Sequence, residues 1–541
     1  MFTSFTNETP EELKSRVEAM PLPNSVYDLL HETAQRYGSA PAWNFIDSGV
    51  TRTWAEVLEA VETAASAFAE IGIGQGTHVA VMAWNVEEFP ITWLALSRLQ
   101  AVMVPVNATY TTREVEYALQ TSDATFMVLE QEFLPHIAAM EQVSLPMSHI
   151  IVIGEDGPSG ARSWRRMMEA ARGKTAPETQ RHRDQLLNLQ YTSGTTGFSK
   201  ACMLSNDYWL CLGIVSTAFF ATDLKRFYCG SSFYYMVGQR ILTNAMYSGG
   251  CVFYPRKPGA KRFMPDVVEH DCDYCAMFEM VYKQPARPED SAHKLKLVTI
   301  FAFGPENHVK FVERFDVHGQ EFYGMTEIGG ATYVPAHCLH EMTGSGSCGV
   351  PTPFREIMLA DSDGNPVSPG QAGELCVRGR GLLQGYYKNP EATAEAFRGA
   401  WFRTGDLARI DERGFYYIIG RTKDMVRRSG ENIAAREVES VLRTMPQIQD
   451  AAIVPVPDPY RGEEVKVYIQ LAKGIRPEEC PPDVIADYCA SRLAGFKIPR
   501  YFEYRDSFPL TDSQRVQKKV LLAEKSDLRV GAYDRQDQIW R

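Results

Sequence analysis

An α/β protein of at least two domains is predicted by three features of the sequence. The first is alternation: between residues 25 and 133, amphipathic helical stretches trade places with short apolar runs, the pattern of a parallel sheet covered by helices. The second is length, since 541 residues exceed what one core accommodates. The third is a change of character after Gly420. There Arg421, Lys423, Arg427 and Arg428 crowd a stretch with few apolar anchors, and a helix, strand, strand, helix pattern begins. A large domain over 1–421 and a small α+β domain over 422–541 are expected.

Taken in order, helices are predicted over 25–37 and 53–71, the second opening on Thr53 with Glu56 three residues on, a capping box. Strands over 78–84 and 101–106 flank a helix over 89–99. Residues 154–182 turn polar and Gly/Pro-bearing and read as a surface excursion. A helix over 206–221 follows, then two further strand and helix pairs. The run LARIDERGFYYI predicts a hairpin with its turn at Asp411 to Gly414. Beyond the boundary, helices are expected over 434–445 and 482–493 and strands over 451–455 and 464–471.

Composition narrows the functional classes. With 45% hydrophobic and 23% charged residues the chain reads as globular, and a net charge of −11 argues against nucleic acid as the main partner. The N-terminal stretch has no apolar signal region, and no 18-residue apolar run occurs, so a cytoplasmic location is expected. Eleven scattered cysteines suit reduced thiols. The pair Cys272 and Cys275, and the group His337, Cys338, His340 and Glu341, lack a second pair at zinc-finger spacing, and buried thiols and a polar loop are the preferred reading.

The stretch that carries chemistry is LQYTSGTTGFSKACML, residues 189–204. Gly194 and Gly197 let backbone N–H groups approach an anion, Thr192, Ser193, Thr195 and Thr196 add hydroxyl donors, and Lys200 adds a compact positive charge. Phe198 and Ser199 separate Gly197 from Lys200, so the stretch is not a Walker A loop. In EFYGMTEIGG, Tyr323 is suited to stack on a base, Gly324 to allow close backbone approach, Thr326 to bond a phosphate oxygen and Glu327 to bind Mg²⁺ as a hard oxygen ligand.

The run YTSGTTGFSK resembles the phosphate loop of the adenylate-forming superfamily: acyl-CoA synthetases, luciferases and peptide-synthetase adenylation domains. Ser199 and Ala201 replace that family's usual proline and glycine. YGMTE, including Met325, follows in the family's order, as does the cluster from GELCVRGRGLLQGYYKNPEAT to GRTKDMVRRSGENIAAREVE, so the resemblance covers residues from about 25 to 522. It implies stacked α/β subdomains with a β-barrel-like part and a small mobile C-terminal domain, most like an acyl-CoA ligase of the carnitine, crotonobetaine or medium-chain-acid kind.

The roles it implies extend across the chain. Phe303, Gly304 and Pro305 stand beside the adenine, Asp406 accepts the ribose hydroxyls with Arg421 as a second clamp, Lys423 is the hinge, and Gly430 lines the thiol tunnel. Phe233, Tyr234, Tyr235 and the segment 276–282, with Phe278, line the acyl pocket. The segment of Asn107, Tyr110 and Glu114 is structural. In FPLTDSQRVQKKVL, Asp512 and Gln514 replace the family's proline and glycine, and Arg515 stands where relatives place a catalytic lysine. Lys518 and Lys519 are the alternatives. The implied activity is ATP- and Mg²⁺-dependent activation of a carboxylic acid as its adenylate, then transfer to coenzyme A. Transfer to a carrier protein or amine, or a nucleotide-binding protein with impaired adenylation, are the alternatives, and a homodimer is left open. An apolar or aromatic acid is favoured over a quaternary-ammonium acid held by aromatic faces.

Overall fold

The computed structural model describes residues 8–541 apart from 156, 193–199, 220–222, 302, 369, 422–423, 429–430, 494 and 512–514. Ser193, Gly194, Thr195, Thr196, Gly197, Lys423 and Gly430 therefore lie outside the described residues, as do Asp512 and Gln514. The rest falls into two compact units: residues up to 192, 200–357 and 377–402 in the first, 358–376 and 403–541 in the second.

The first unit is built on two mainly parallel sheets. One orders its seven strands Arg162–Ser163, Ile150–Ile153, Phe126–Glu130, His78–Met82, Val102–Pro105, Leu186–Thr192 and Lys200–Ser205, parallel until the last, antiparallel pair. The other has nine strands and runs from Val350–Pro351 at one edge to Val50–Thr53 at the other. Strands His78–Met82 and Val102–Pro105 are buried almost throughout, as parallel strands covered on both faces must be. Their helices start where the sequence puts caps. The Ser25 hydroxyl accepts from the Asp28 N–H ahead of Val26–Tyr37, and both bonds of the Thr53 and Glu56 capping box open Trp54–Glu70.

Residues 154–182 are more than a surface excursion. They contain the strand Arg162–Ser163 and the helix Trp164–Ala171, which the Ser163 hydroxyl caps. Trp164 anchors that helix by meeting Phe68 edge-on, ring centroids 5.6 Å apart. A polar composition hid a helix that only one buried aromatic holds down.

Inside the first unit, helices Asn206–Ala218 and Met236–Ser248 are buried on nearly all faces and pack on each other. Asn188, on the strand Leu186–Thr192, is fixed among them. Its Oδ1 accepts from Trp93 Nε1 at 2.9 Å and Trp209 Nε1 at 3.0 Å, and its Nδ2 donates to Gln239 Oε1 at 3.0 Å. A buried amide with three partners locks the register of that strand.

Strands Arg355–Ala360, Gly373–Gly379, Trp401–Ile410, Phe397–Arg398 and Tyr416–Arg421 form a five-stranded sheet. The hairpin expected around Asp411 is present: Gly414, at φ +86°, donates to the Asp411 carbonyl.

The second unit ends in a seven-stranded sheet dominated by the antiparallel pair Ile448–Asp458 and Gly462–Leu471. Helices Ala435–Arg443 and Pro482–Ala490 close its core around Val438, Leu442, Val467 and Ile485. The sheet continues past the last expected element with Tyr533–Asp534 and Ile539–Trp540. Apolar alternation does not mark these strands. The buried Asp534 carboxylate holds them, accepting from Arg500 (both 3.0 Å) and Arg541 (2.8 and 2.6 Å).

Glu464 is a fully buried charge of this unit, with Arg428 Nε at 2.7 Å and Arg461 Nε at 3.4 Å. Removing one partner of such a pair leaves the other charge uncompensated. Glu464→Ala is expected to destabilise the second unit by about 3–5 kcal/mol, measured by urea unfolding followed by circular dichroism.

Candidate functional site

The two strands that flank residues 193–199 close in register, Thr192 opposite Lys200, with those seven residues outside the described ones. Lys200–Ser205 is an edge strand of its sheet, and the segment after it in space is not a strand neighbour in sequence. Met203 N–H donates to the Gly385 carbonyl, Gln384 N–H to Met203, and Tyr387 N–H to Ala201, each at 2.9 Å. The sequence GYY thus lies along the edge strand Lys200–Ser205 of this sheet.

YGMTE is placed by an antiparallel hairpin, strands Gly319–Met325 and Gly329–Tyr333, with Thr326 and Glu327 in the turn. Its register shifts between Tyr323 and Gly324, and the backbones approach so closely that a Cβ on Gly324 would lie 2.1 Å from the Gly329 carbonyl oxygen. Glu327 is buried. Its backbone carbonyl accepts from Leu383 N–H at 2.9 Å, and its Oε1 accepts from the Tyr386 hydroxyl at 3.1 Å. The Lys200 ammonium stands 4.5 Å from the centre of the same tyrosine ring. Sequence motifs far apart therefore meet at Tyr386. Burial and then the Glu327 charge push the Tyr386 phenol far up, and the same two causes raise the Cys202 thiol.

The remaining predicted residues fall in separate places. Gly304 caps, and Pro305 begins, the helix Pro305–Phe315, and the space around the Gly304 Cα is open. Asp406 and Arg421 face each other across paired strands of the second unit, Arg421 Nε donating to Asp406 Oδ1 at 2.9 Å. Arg515 is exposed; its N–H donates to Thr511 Oγ1 at 3.1 Å. Lys518 instead lies 2.6 Å from the buried carboxylate of Glu439.

Of the acyl-pocket residues, Phe233 is a core residue, packed against Phe89, Trp93 and Tyr254. Tyr234 is buried, its carbonyl accepting from Gln190 Nε2 at 2.7 Å, which ties this segment to the strand Leu186–Thr192. Tyr235 is 41% exposed and its hydroxyl accepts from Asn107 Nδ2 at 3.1 Å. Phe278 stacks on Phe301 with centroids 5.2 Å apart. Glu114 accepts from Thr111 N–H at 2.7 Å as a helix cap. Cys272 and Cys275 are buried in one apolar cluster.

Residues 30–387 match the family described as AMP-binding enzyme, and 437–515 match the AMP-binding enzyme C-terminal domain. The chain belongs to the AMP-binding enzyme family. A feruloyl-CoA synthase from an Amycolatopsis species is 30% identical over 502 residues, spanning 90% of this chain and 95% of that protein. A crotonobetaine/carnitine–CoA ligase from Salmonella paratyphi A is 29% identical over 508 residues, 91% and 97% of the two chains. In fold, an anthranilate CoA ligase in complex with anthranoyl-AMP superposes with a TM-score of 0.82 at 24% identity, covering 94% of this chain and 98% of the other.

For an AMP-binding enzyme the donor set around Glu327 suits Mg²⁺. It includes the buried Glu327 carboxylate, a hard oxygen donor, with the hydroxyl-bearing Thr326 preceding it in the same turn. Mg²⁺ characteristically takes one or two carboxylates and completes its shell with phosphates and water. Sequence reading missed two residues here. Tyr386 stands in a quoted motif, but nothing in its spacing shows that its hydroxyl reaches Glu327. Arg355 is fully buried, and its guanidinium donates to the carbonyls of Ile328 (2.7 and 3.2 Å), Phe354 (3.0 Å) and Gly381 (3.1 Å), and to that of Arg380. It fixes the turn that follows Glu327.

Helix Pro305–Phe315 carries a pH-sensitive contact. Gly344 N–H points at His308 Nδ1 (3.4 Å), so Nε2 carries the proton and donates to the Gly319 carbonyl at 3.1 Å. Burial holds this imidazole down at about 4, against the Gly319 bond, with His318 adding to the depression. The folded value lies below the ordinary one of about 6.5. The neutral ring therefore contributes stability above that pH, and the contribution is lost as pH falls through the folded value. Thermal melts are expected to show a fall in Tm across this acid range that His308→Gln flattens.

Proposed function

We propose that the chain is an ATP-dependent acid–CoA ligase that activates a carboxylic acid as its acyl-adenylate, releases pyrophosphate and passes the acyl group to coenzyme A. The observation that carries this reading is the buried Glu327 carboxylate, held by the same tyrosine that covers Lys200. Adenylation drives a carboxylate against a phosphate, so charge must be neutralised before in-line attack. Lys200 supplies one fixed cation, and Thr192 with Ser193, Gly194, Thr195, Thr196 and Gly197 supplies donors to the phosphates. Tyr323, Gly324, Met325, Gly304 and Pro305 receive the base, and Thr326 bonds the phosphate. Mg²⁺ bound at Glu327 would add charge neutralisation on the phosphate oxygens. Asp406, oriented by Arg421, accepts the ribose hydroxyls, and Arg515 is the cation of the adenylation step.

The same reading places the domain boundary after residue 421, the hinge at Lys423 and the thiol path along Gly430. Eleven buried cysteine thiols support a reducing, cytoplasmic setting. The stacked Phe278 and Phe301 rings and the half-open Tyr235 favour an acid with a flat or apolar acyl group. The relatives named for ferulate and for carnitine set the two arms of a test. Equal turnover of a quaternary-ammonium acid and its neutral isostere speaks against a cation held by aromatic faces. Pyrophosphate release with a panel of acids, with coenzyme A or hydroxylamine as acceptor, separates a ligase from an enzyme that serves another acceptor. No release with any acid overturns the reading. A homodimer is left open, and light scattering distinguishes it from a monomer.

Glu327→Gln is expected to lower metal-dependent adenylation about 10²-fold with the fold retained, measured by pyrophosphate release and circular dichroism. Arg515→Ala is expected to slow adenylation by a similar factor while sparing thioester formation from a preformed adenylate. Lys518→Ala leaves Glu439 buried without its ammonium, so it lowers Tm and spares the adenylation rate of the folded protein.

A further inference from the structure

Tyr386 is touched by two charged groups of the proposed adenylation site, Glu327 and Lys200, and its backbone is held in place. Its N–H donates to Thr393 Oγ1 at 2.9 Å, its carbonyl accepts from Asn389 N–H at 3.1 Å, and its backbone bridges to Cys202 on the phosphate-loop strand. Its side chain is 6% exposed. The hydroxyl donates to Glu327, and the face of the ring lies under the Lys200 ammonium. A phenol in this position presents two different recognition elements: an O–H for an anion and a π-face for a cation.

Resting on the ligase reading above, we infer that Tyr386 is a positioning residue that keeps the metal-binding carboxylate and the phosphate-binding lysine on separate supports. In a buried setting opposite charges attract strongly. With the ring gone, Glu327 and Lys200 would be left to neutralise each other, and neither would be aimed at nucleotide. The hydroxyl also directs one oxygen of Glu327, which fixes the plane of the carboxylate. The ring gives Lys200 a weak, non-competing partner that phosphate displaces without breaking an ion pair. Cys202 serves the same arrangement passively, as a buried thiol whose strand carries the Tyr386 backbone.

The test separates hydroxyl from ring. ATP binding is measured by titration calorimetry without acid, so that no turnover occurs, in the presence and absence of Mg²⁺, for the wild-type chain, Tyr386→Phe and Tyr386→Leu, alongside Tm. Tyr386→Phe is expected to shrink the gain in ATP affinity conferred by Mg²⁺ about tenfold, with metal-free affinity unchanged because the ring remains under Lys200. Tyr386→Leu is expected to lower metal-free affinity as well, by several-fold. Wild-type affinities and wild-type Mg²⁺ linkage in both variants, with only Tm reduced, would show that Tyr386 merely packs, and would overturn the inference alone. Tyr386→Phe keeps the packing volume, so it decides the hydroxyl's role even if Tyr386→Leu does not fold. Absence of ATP binding in the wild-type chain would overturn the ligase reading and this inference with it.

Discussion

The arrangement of the candidate site depends on one stretch of backbone pairing, the bonds that lay residues 384–387 along the edge strand Lys200–Ser205. An edge strand has unpaired N–H and C=O groups, and something must cover them. Here the covering segment also donates Leu383 N–H to the Glu327 carbonyl. The two large sheets of the first unit each carry a motif in an antiparallel hairpin, Leu186–Thr192 with Lys200–Ser205 at the edge of one, and Gly319–Met325 with Gly329–Tyr333 beside the edge strand Val350–Pro351 of the other. The covering segment ties the two hairpins, and Tyr386 is the side chain that results.

Arg355 reinforces the same region from behind. A fully buried guanidinium is costly unless its donors are matched. Its donors go to backbone carbonyls of 328, 354, 380 and 381, so it acts as a fixed cross-link between chain segments. The neighbouring Phe354 sits at φ +62°, a left-handed conformation that costs a non-glycine residue about 1–3 kcal/mol. Its N–H is held by Glu18 Oε1 at 2.6 Å, on the N-terminal helix Pro10–Glu18. Backbone strain and a buried charge next to the turn that carries Glu327 are features that packing alone does not require.

The second unit relies more on buried charge. Lys466 and Glu464 are both fully buried and lie two residues apart on one strand, with Glu503 2.6 Å from Lys466 and Arg428 at Glu464. Asp534 gathers Arg500 and Arg541 at the last hairpin. Each charge there finds a partner distant in sequence, so this unit's order is set by long-range pairs.

The amino-acid sequence by itself determined what is local. Apolar runs of strand length, the caps at Ser25 and Thr53, the turn at Asp411 and Gly414, and the order of the motifs read directly, because caps, turns and periodicity involve residues within a few positions of one another. The α/β class and the family followed from them. Tertiary structure decided the rest. Trp164 had to find Phe68 before a polar stretch could be a helix, Asp534 had to find Arg500 and Arg541 before the tail could be a hairpin, and Phe233 had to meet Phe89, Trp93 and Tyr254 to be core. Tyr386 reached Glu327, 59 positions away, and Lys200 through an edge pairing that no spacing announces. Contacts of that kind arise only when sheets are assembled, since strand order, not sequence order, sets which side chains share a space.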